Sequence, residues 1–291
     1  MANILVIIVT YNALKWIRRC LRSVEQSSLP ADVLLIDNGS TDGTLPFVRT
    51  DFPGTRIIET GENLGFGAAN NLGLRIALDE GYGFAYLLNQ DAWLQRDTLE
   101  KLVAAHRPEW GILSPMQLNA RGRRDKRFDK KCGKYVDAAL AGYHNDLLVV
   151  EVPFVMAAHW LLSRKAIGTV GGFSPAFRHY GEDDNWIDRL HWHGLRCGVV
   201  PAAAAVHDRS GRRLPHEKKM RLKCVAAVVK VSDPKRGWRR VCIRELLELV
   251  LMGIKNFSAI PWRFIPELRS RFPELLEYRE RSKEKGAFLP E

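Results

Sequence analysis

Cysteine is scarce in this chain of 291 residues, and the few that occur are far apart. No two of them form a C-x-x-C pair, and their number is odd: Cys20, Cys132, Cys197, Cys224 and Cys242. This pattern argues against a disulfide framework and against a cysteine-rich zinc site. A reducing compartment suits such a chain, and we therefore expect a cytoplasmic protein.

Long apolar runs are also missing. The stretch nearest to a transmembrane helix, at residues 147–162, is interrupted by Glu151, Pro153 and His159. The apolar run at residues 4–9 is too short for a signal peptide and has no basic segment before it. It is instead predicted to be a buried parallel strand. No internal repeat of fixed period is present, which argues against a repeat architecture.

Acidic residues are fewer than basic ones, with 33 Asp and Glu against 44 Lys and Arg, and the net charge is +11. This balance favours anionic partners such as nucleotide phosphates, anionic lipid or nucleic acid, with a merely solvated basic surface as the alternative. Basic residues become dense beyond Arg209. We therefore predict a main domain at residues 1–211, with a soft boundary near Gly211, and a basic helical extension at residues 212–291.

Strand and helix patterns alternate through the first hundred residues. Strands are predicted at residues 4–10, 32–37, 56–59 and 84–88, with helices at residues 13–26, 41–49, 68–80 and 97–105. This order predicts an α/β fold with a Rossmann-like, mostly parallel central sheet flanked by helices. Ligands of such sheets bind beyond the carboxyl ends of the strands. The segments expected to meet there carry Thr10, Asp37, Asn63 and Asp91.

Two side chains that follow predicted strands are candidate metal ligands. Asp91 ends the segment Asn89-Gln90-Asp91, and a carboxylate there can hold a divalent cation that bridges a diphosphate. His207 follows the apolar residues 199–206, and a neutral imidazole can complete such a site. The alternatives are an ordinary turn aspartate and a structural histidine.

Three consecutive acids follow Gly181: Glu182, Asp183 and Asp184. They are predicted to open a helix, where negative charge suits the helix dipole. A carboxylate placed there can also take the proton of an attacking hydroxyl group, which makes Asp183 a candidate general base. The residues alone leave both interpretations open.

Two loops carry nucleotide-binding features. Residues 37–42 read Asp-Asn-Gly-Ser-Thr-Asp, which suits either a tight turn or a nucleoside-binding loop. Residues 65–70 form only a partial dinucleotide fingerprint, because Asn70 replaces the last glycine. We therefore reject a nicotinamide-binding interpretation.

Taken in order, these motifs resemble the inverting glycosyltransferases of the GT-A fold known as glycosyltransferase family two, and in particular its bacterial rhamnosyltransferase-like branch. The resemblance covers residues 3–215. It implies a nucleotide-sugar half at about residues 1–110 and an acceptor half at about residues 111–211. The matching segments are residues 8–12, 36–44, 62–67 with Asn70 and Gly73, 88–91, 181–183 and 207–208.

The resemblance also implies the roles of individual residues. It assigns Asp183 as the catalytic base, and Asp91 and His207 as ligands of Mg²⁺ or Mn²⁺. The residues that it places around the donor and its nucleotide are Thr10, Tyr11, Asn12, Asp37, Asn38, Asn63, Gly65, Phe66, Asn70, Asn89, Gln90, Asp91 and Glu182.

Two departures from the family pattern concern the metal motif and the acceptor side. Asn89 stands where many members have aspartate, and Ala157-Ala158 stands where a glycine-containing loop is usual. Residues 121–134 are predicted to be a basic, polar loop, either a mobile lid or a solvated connection.

The function implied is transfer of a hexose, by an inverting in-line displacement, from a UDP- or dTDP-linked sugar. Rhamnose is the sugar that the branch implies. The acceptor is a hydroxyl group of a saccharide or lipid-linked saccharide, as in cell-surface polysaccharide biosynthesis. Trp238 and Trp262 lie among basic residues of the extension, so peripheral contact with the inner face of the cell membrane is expected, and nucleic acid is not favoured. A homodimer, and packing of the extension on the main domain, remain open.

Two alternatives belong to other classes. A sugar nucleotidyltransferase shares a Rossmann-like start but carries a basic glycine-rich loop after the first strand, where this chain has Thr10-Tyr11-Asn12-Ala13-Leu14-Lys15. A non-catalytic scaffold on the same fold is the other alternative.

Overall fold

The computed structural model describes residues 3–142, 149–209 and 215–289. Nine strands lie in that part of the chain: β1 Ile4–Thr10, β2 Asp32–Asp37, β3 Arg56–Glu59, β4 Phe84–Asn89, β5 Ala92–Leu94, β6 Trp110–Leu118, β7 Val150–Glu151, β8 His159–Ser163 and β9 Arg196–His207. The helices of the main domain are α1 Ile17–Glu25, α2 Thr44–Asp51, α3 Phe66–Asp79, α4 Thr98–Ala105, α5 Lys126–Phe128, α6 Lys134–Leu140, α7 Arg164–Val170 and α8 Glu182–Trp192. The extension forms α9 His216–Ser232, α10 Trp238–Lys255, α11 Ile260–Ser270 and α12 Phe272–Arg281.

All nine strands belong to one sheet, in the order β3-β2-β1-β4-β8-β6-β9-β5, with β7 paired to β9. The strands β3, β2, β1 and β4 are parallel, as the alternating pattern predicts. In the second half β8 runs antiparallel to both β4 and β6, and β9 is parallel to β6 but antiparallel to β5. The expected α/β fold, with helices flanking a central sheet and a helical extension, is confirmed, and parallel pairing dominates its first half.

The core lies on both faces of the sheet. On β1, Leu5 and Ile7 pack into one buried cluster, and Ile4, Val6 and Ile8 pack into the other. Burial on both faces explains why this strand is a continuous apolar run rather than an alternating one. The sheet is thereby held between two layers, and its strand ends remain available for ligands.

The sequence predicts a loop at residues 121–134, and that prediction is wrong for their second half. The Asp125 side chain accepts hydrogen bonds from the amides of Arg127 and Phe128, at 2.9 and 3.0 Å, and so caps α5. A π-helical segment, Asp129–Gly133, then leads into α6. Phe128 and Cys132 are fully buried. Burial of these two side chains stabilises the helical segment, whose many charged residues made its sequence resemble a loop.

The helical extension packs against the main domain. Ala176 and Phe177 share a buried cluster with residues of α9, α10, α11 and α12. The Arg271 guanidinium donates to the Ala176 carbonyl at 2.7 Å. The predicted boundary at Gly211 lies outside the described residues. None of the helices in the described ranges combines the length and the apolar composition needed to cross a bilayer.

Candidate active site

A cleft of about 850 Å³ opens at the carboxyl ends of β1 and β4. It brings together twelve of the residues that the sequence predicts for the site: Thr10, Tyr11, Asn38, Asn63, Gly65, Phe66, Asn89, Gln90, Asp91, Glu182, Asp183 and His207. Three predicted residues, Asn12, Asp37 and Asn70, do not line it. Their side chains instead hold the loops that do.

Asp37 shapes the turn that follows β2. Its side chain is 1% exposed and accepts hydrogen bonds from the Thr10 hydroxyl at 2.9 Å and from the Gly39 and Ser40 amides at 3.1 and 2.8 Å. The Ser40 hydroxyl donates to the same carboxylate. With these partners, Asp37 fixes the backbone beside Asn38, which does line the cleft.

Asn12 and Asn70 also bond to backbone. Asn12, at a φ of 51°, accepts from the Thr41 amide at 2.8 Å and thus joins the segment after β1 to the turn after β2. Asn70 is buried in α3 and donates to the Phe66 carbonyl at 2.8 Å. Both side chains position cleft-lining neighbours.

The glycine-rich loop is held on two sides. The Asn63 side chain accepts from the Gly65 amide at 3.0 Å, and the Asn38 side chain donates to the Gly65 carbonyl at 3.2 Å. Gly65 has a φ of +86°, in the region that favours glycine. A β-carbon there would lie 2.6 Å from the Arg178 carbonyl oxygen. The loop is therefore pressed against the segment that leads into α8.

Two hydrogen bonds join the Gln90 side chain to the Tyr11 backbone across the ends of β1 and β4. The Tyr11 amide donates to Gln90 Oε1 at 2.7 Å, and Gln90 Nε2 donates to the Tyr11 carbonyl at 3.2 Å. The carbonyl oxygen and the amide nitrogen of the Gln90 side chain are thus both bonded to backbone. The Tyr11 ring stays 48% exposed at the mouth of the cleft. This ring is available for stacking on a planar ligand.

Asp91 and His207 meet because β5 pairs antiparallel with β9, in a register that places Ala92 opposite His207. His207 Nε2 lies 3.3 Å from Asp91 Oδ1, and both side chains are almost fully buried. The Arg209 Nε donates to His207 Nδ1 at 3.1 Å. A carboxylate and an imidazole at the cleft floor are a donor pair that suits a divalent cation.

His159 lies behind this pair. Its ring nitrogens contact the Tyr86 hydroxyl at 3.0 Å and the Val206 carbonyl at 3.1 Å. Burial, together with His207, lowers the pKa of His159 to about 3, so the ring is neutral at physiological pH. Within the described ranges, no group of three or more His, Cys, Asp or Glu side chains is arranged to hold a metal.

Asp183 is the second residue of α8, which begins directly after Gly181, a residue with a φ of +93°. Burial and the neighbouring charges of Asp184 and Glu182 raise its pKa well above the usual carboxyl range. Burial also raises the pKa of Glu182 to about 7. A carboxylate with a raised pKa is a stronger base near neutral pH, as general-base catalysis requires.

The extension supplies one wall of the cleft, which sequence reasoning missed. Its lining side chains are Lys218, Arg221, Leu222, Val225 and Val228 of α9, Phe264 and Glu267 of α11, and Arg271. Positions 218, 221, 222 and 225 follow the spacing of one helical face, so a helix prediction over α9 was possible from periodicity. Arg127 and Arg178 add two cations from the main domain. The wall is thus both basic and apolar.

Ala157 and Ala158, the departure on the expected acceptor side, also line the cleft. The Ala158 carbonyl accepts from the Asn89 amide at 3.2 Å, which ties this segment to the carboxyl end of β4.

Comparison with known proteins identifies the family. Residues 5–170 match the family model described as glycosyl transferase family 2. The chain belongs to this family. The resemblance expected from the motifs is therefore confirmed, and the reaction class of the chain is glycosyl transfer.

Two curated relatives are informative. The N-acetylglucosaminyl-diphospho-decaprenol L-rhamnosyltransferase of Mycobacterium tuberculosis is 27% identical over 274 residues, covering 82% of this chain and 87% of the relative. The low-salt glycan biosynthesis hexosyltransferase Agl10 of Haloferax volcanii is 23% identical over 186 residues, covering 62% and 59% of the two chains.

Solved structures support the fold. Residues 1–349 of S. aureus TarS in complex with UDP align with a TM-score of 0.57 at 16% identity, covering 96% of this chain and 80% of that one. A longer TarS chain is covered only to 44%. The mannosyltransferase PcManGT of Pyrobaculum calidifontis, in complex with GDP-Man and Mn²⁺, aligns with a TM-score of 0.56 at 21% identity, covering 96% and 73%.

Proposed function

We propose that this glycosyltransferase moves a sugar from a nucleoside-diphosphate sugar to an acceptor hydroxyl group by an inverting, in-line displacement. The observation that carries the proposal is the convergence of three separate parts in one cleft. These are the loops around Asn38 and Gly65, the Asp91–His207 pair, and the partly buried carboxylate of Asp183. The loops suit binding of a nucleotide, and the Asp91–His207 pair suits a cation bound to a diphosphate. The Asp183 carboxylate suits the role of proton acceptor.

In the proposed reaction the acceptor oxygen attacks the anomeric carbon while the bond from that carbon to the diphosphate oxygen breaks. The hydroxyl proton passes to Asp183, and the nucleoside diphosphate leaves with the bonding electron pair. A single displacement inverts the anomeric centre. General-base assistance of this kind contributes about 10²–10⁴-fold in rate.

Asp91 and His207 would hold Mg²⁺ or Mn²⁺. Such a cation supplies positive charge where negative charge develops on the leaving diphosphate.

For the donor we propose a UDP- or dTDP-linked sugar, with rhamnose favoured by the name of the mycobacterial relative. The same name favours an acceptor saccharide carried on a lipid diphosphate. The cleft wall built by the extension is compatible with this acceptor, because Lys218 and Arg221 can face phosphate while Leu222 and Phe264 can face apolar chain.

A thermal-shift panel tests the nucleotide part of the proposal, using UDP, dTDP, GDP and NAD, each with and without Mn²⁺. A ligand that binds only the folded state stabilises it by about 2.7 kcal/mol at a hundred times its dissociation constant. We expect a Mn²⁺-dependent rise of the melting temperature with UDP or dTDP, and none with NAD. The absence of any shift with every diphosphate would contradict the proposal.

A product assay separates the proposal from its alternatives. Incubation with the donor and an acceptor saccharide should release nucleoside diphosphate and form a glycoside of inverted anomeric configuration, read by NMR. Retained configuration would contradict the mechanism. Release of pyrophosphate from a sugar phosphate and a nucleoside triphosphate would instead identify a nucleotidyltransferase.

A further inference from the structure

Helix α10 carries an apolar stripe on its solvent face. Ile243, Leu247, Leu251 and Ile254 are each between 57 and 63% exposed. Their spacing of four, four and three residues places them on one side of the helix. Val250 lies within the same arc and Phe257, which is 99% exposed, extends the stripe just past the end of the helix. Such a continuous row of large exposed side chains marks an interaction surface.

The exposure of this stripe does not come from loose packing of the helix. The opposite face of α10 buries Cys242 and Leu249 in the cluster that it shares with α9 and α11. The Trp262 ring lies over Gly253, where a β-carbon would come within 2.2 Å of its indole nitrogen, and that nitrogen donates to the Val250 carbonyl at 3.1 Å. One face of α10 is therefore fixed while the other is presented outward.

The charges around the stripe are mostly positive. Arg239 and Arg240 lie on the same side one turn before Ile243, and Arg244 and Lys255 flank the stripe. Residues 212–291 contain 20 Lys and Arg against 10 Asp and Glu, so this extension carries +10 of the net charge of +11. An apolar stripe bordered by cations is the pattern of a helix that lies in the plane of an anionic bilayer surface.

We infer that α10 docks this protein on an anionic membrane surface, with the stripe inserted into the interface and the flanking cations against lipid phosphates. A second copy of the chain fits the stripe less well. Two-fold packing of α10 against itself would bring the flanking cations of the two copies together, since Arg239 and Arg240 would face either their own copies or Lys255. Like charges across an interface are unfavourable. Anionic lipid satisfies the apolar and the charged parts of the surface together.

This docking places the cleft close to the bilayer. Helices α9 and α11 pack on the inner face of α10 and, with Phe264 and Arg221, form the wall of the cleft. Helix α10 therefore lies between the membrane and the helices that form that wall. If the proposed function holds, an acceptor carried on a lipid reaches the cleft along this wall, although the docking itself does not depend on the reaction.

Vesicle flotation of the full chain tests the inference without donor or acceptor. The wild type should float with vesicles of phosphatidylcholine and phosphatidylglycerol, float far less with phosphatidylcholine alone, and be released by salt. The double variant Leu247→Gln/Leu251→Gln should lower the partition coefficient by about tenfold or more, since both leucines lose their burial in the interface. Leu140→Gln, which changes an equally large side chain that is 41% exposed on α6, should float like the wild type.

The variant Arg239→Gln/Arg240→Gln should lower partition into anionic vesicles by about fivefold per charge and leave partition into phosphatidylcholine unchanged. Equal flotation of the wild type and Leu247→Gln/Leu251→Gln would overturn the inference. The inference would also be overturned if the wild type did not float with vesicles and formed a dimer in analytical ultracentrifugation, while the leucine variant was a monomer. An unchanged melting temperature of the leucine variant without ligand shows that the fold is intact, so the flotation result stands whether or not UDP binds.

Discussion

Gly65 has no room for a side chain, because a β-carbon on it would stand 2.6 Å from the carbonyl oxygen of Arg178. Gly65 belongs to the loop proposed to hold the nucleotide, and Arg178 precedes the helix that carries Asp183. The two proposed halves of the site are thus in direct backbone contact. A change at one is expected to displace the other.

Gly65→Ala is expected to weaken both donor binding and transfer. The substitution combines a left-handed backbone conformation, which costs about 1–3 kcal/mol for other residues, with the contact to Arg178. We expect UDP affinity in calorimetry to fall by about tenfold or more. Gly61→Ala is the matched control, since Gly61 has a φ of +76° but nothing within 4 Å of its β-carbon position. Equal losses in both variants would show that strain alone, and not the contact, is responsible.

Asp183→Asn is expected to abolish most transfer while leaving donor affinity unchanged, because only the proton acceptor is lost. The rate should fall by about 10²–10⁴-fold in a single-turnover assay. Folding stability at neutral pH should not fall. Burial raises the pKa of this carboxyl, so its ionisation destabilises the folded state as pH rises above the ordinary carboxyl range, and asparagine removes that cost.

Asp188→Asn provides the matched control for this experiment. Asp188 lies on the same helix outside the cleft, and burial, with Asp233 and Asp184, raises its pKa to about 7. It should keep full transfer and show the same direction of stability change. Full activity in Asp183→Asn would remove Asp183 from the mechanism.

The pH profile should report the raised pKa of the base. Because Asp183 must be ionised to accept a proton, kcat/KM is expected to rise between about pH 6 and pH 8. Asp184 is the largest charged contributor to this raised pKa. Asp184→Asn should therefore move the rising limb to lower pH. A limb that moves upward, or does not move, would argue that another group limits the rate.

Removing either member of the Asp91–His207 pair is expected to abolish the Mn²⁺-dependent part of UDP affinity. Asp91→Asn and His207→Gln should each weaken UDP binding by about tenfold or more in the presence of Mn²⁺ and leave the metal-free affinity unchanged. His106→Gln is a suitable control, because this half-buried ring lies edge-on to Phe84, away from the cleft. Undiminished Mn²⁺ dependence in both site variants would place the cation elsewhere.

The folding stability of the extension is expected to depend on one buried arginine. Arg279 is 4% exposed and donates to the carbonyls of Asp233, Pro234 and Arg236, which lie between α9 and α10. Arg279→Gln should lower the free energy of unfolding by about 3 kcal/mol, since buried carbonyls lose charged donors. Chemical denaturation measures this. Arg281→Gln, an exposed neighbour, should change stability by less than about 0.5 kcal/mol.

The strands were the most predictable part of the fold. The bounds of β1, β2 and β3 agree with the predicted ones. In β1, burial on both faces leaves an uninterrupted apolar run, whereas β3 is a short strand at the edge of the sheet in which only Ile57 and Ile58 are partly buried. Helix α1 begins at Ile17, four residues later than predicted. The amides of Ala13 and Leu14 are bonded to Thr44 and Asp42 across the neighbouring turn. That contact between distant segments leaves no periodic signal in the sequence.

Proximity within the site was only partly predictable. That Thr10 and Asn38 approach one another follows from parallel strands ending at one edge. The meeting of Asp91 with His207 depends on β5, which has only three residues, pairing with a strand more than a hundred residues later. Motif order implied a shared role for these two residues, whereas the pairing that joins them appears only in the structure. The wall formed by α9 and α11 was missed for a similar reason, since dense positive charge obscured the apolar spacing of α9.

The origin of the cleft walls has a consequence for biosynthesis. The nucleotide side comes from residues before Asp91, and the wall with Arg221 and Phe264 comes from helices translated much later. Because chains emerge from the ribosome amino end first, the parallel half of the sheet can form while the opposite wall is still unmade. A nascent chain of this protein therefore passes through a stage with an open half-site. Catalysis must wait until α11 has packed against α9 and α10 and completed this wall.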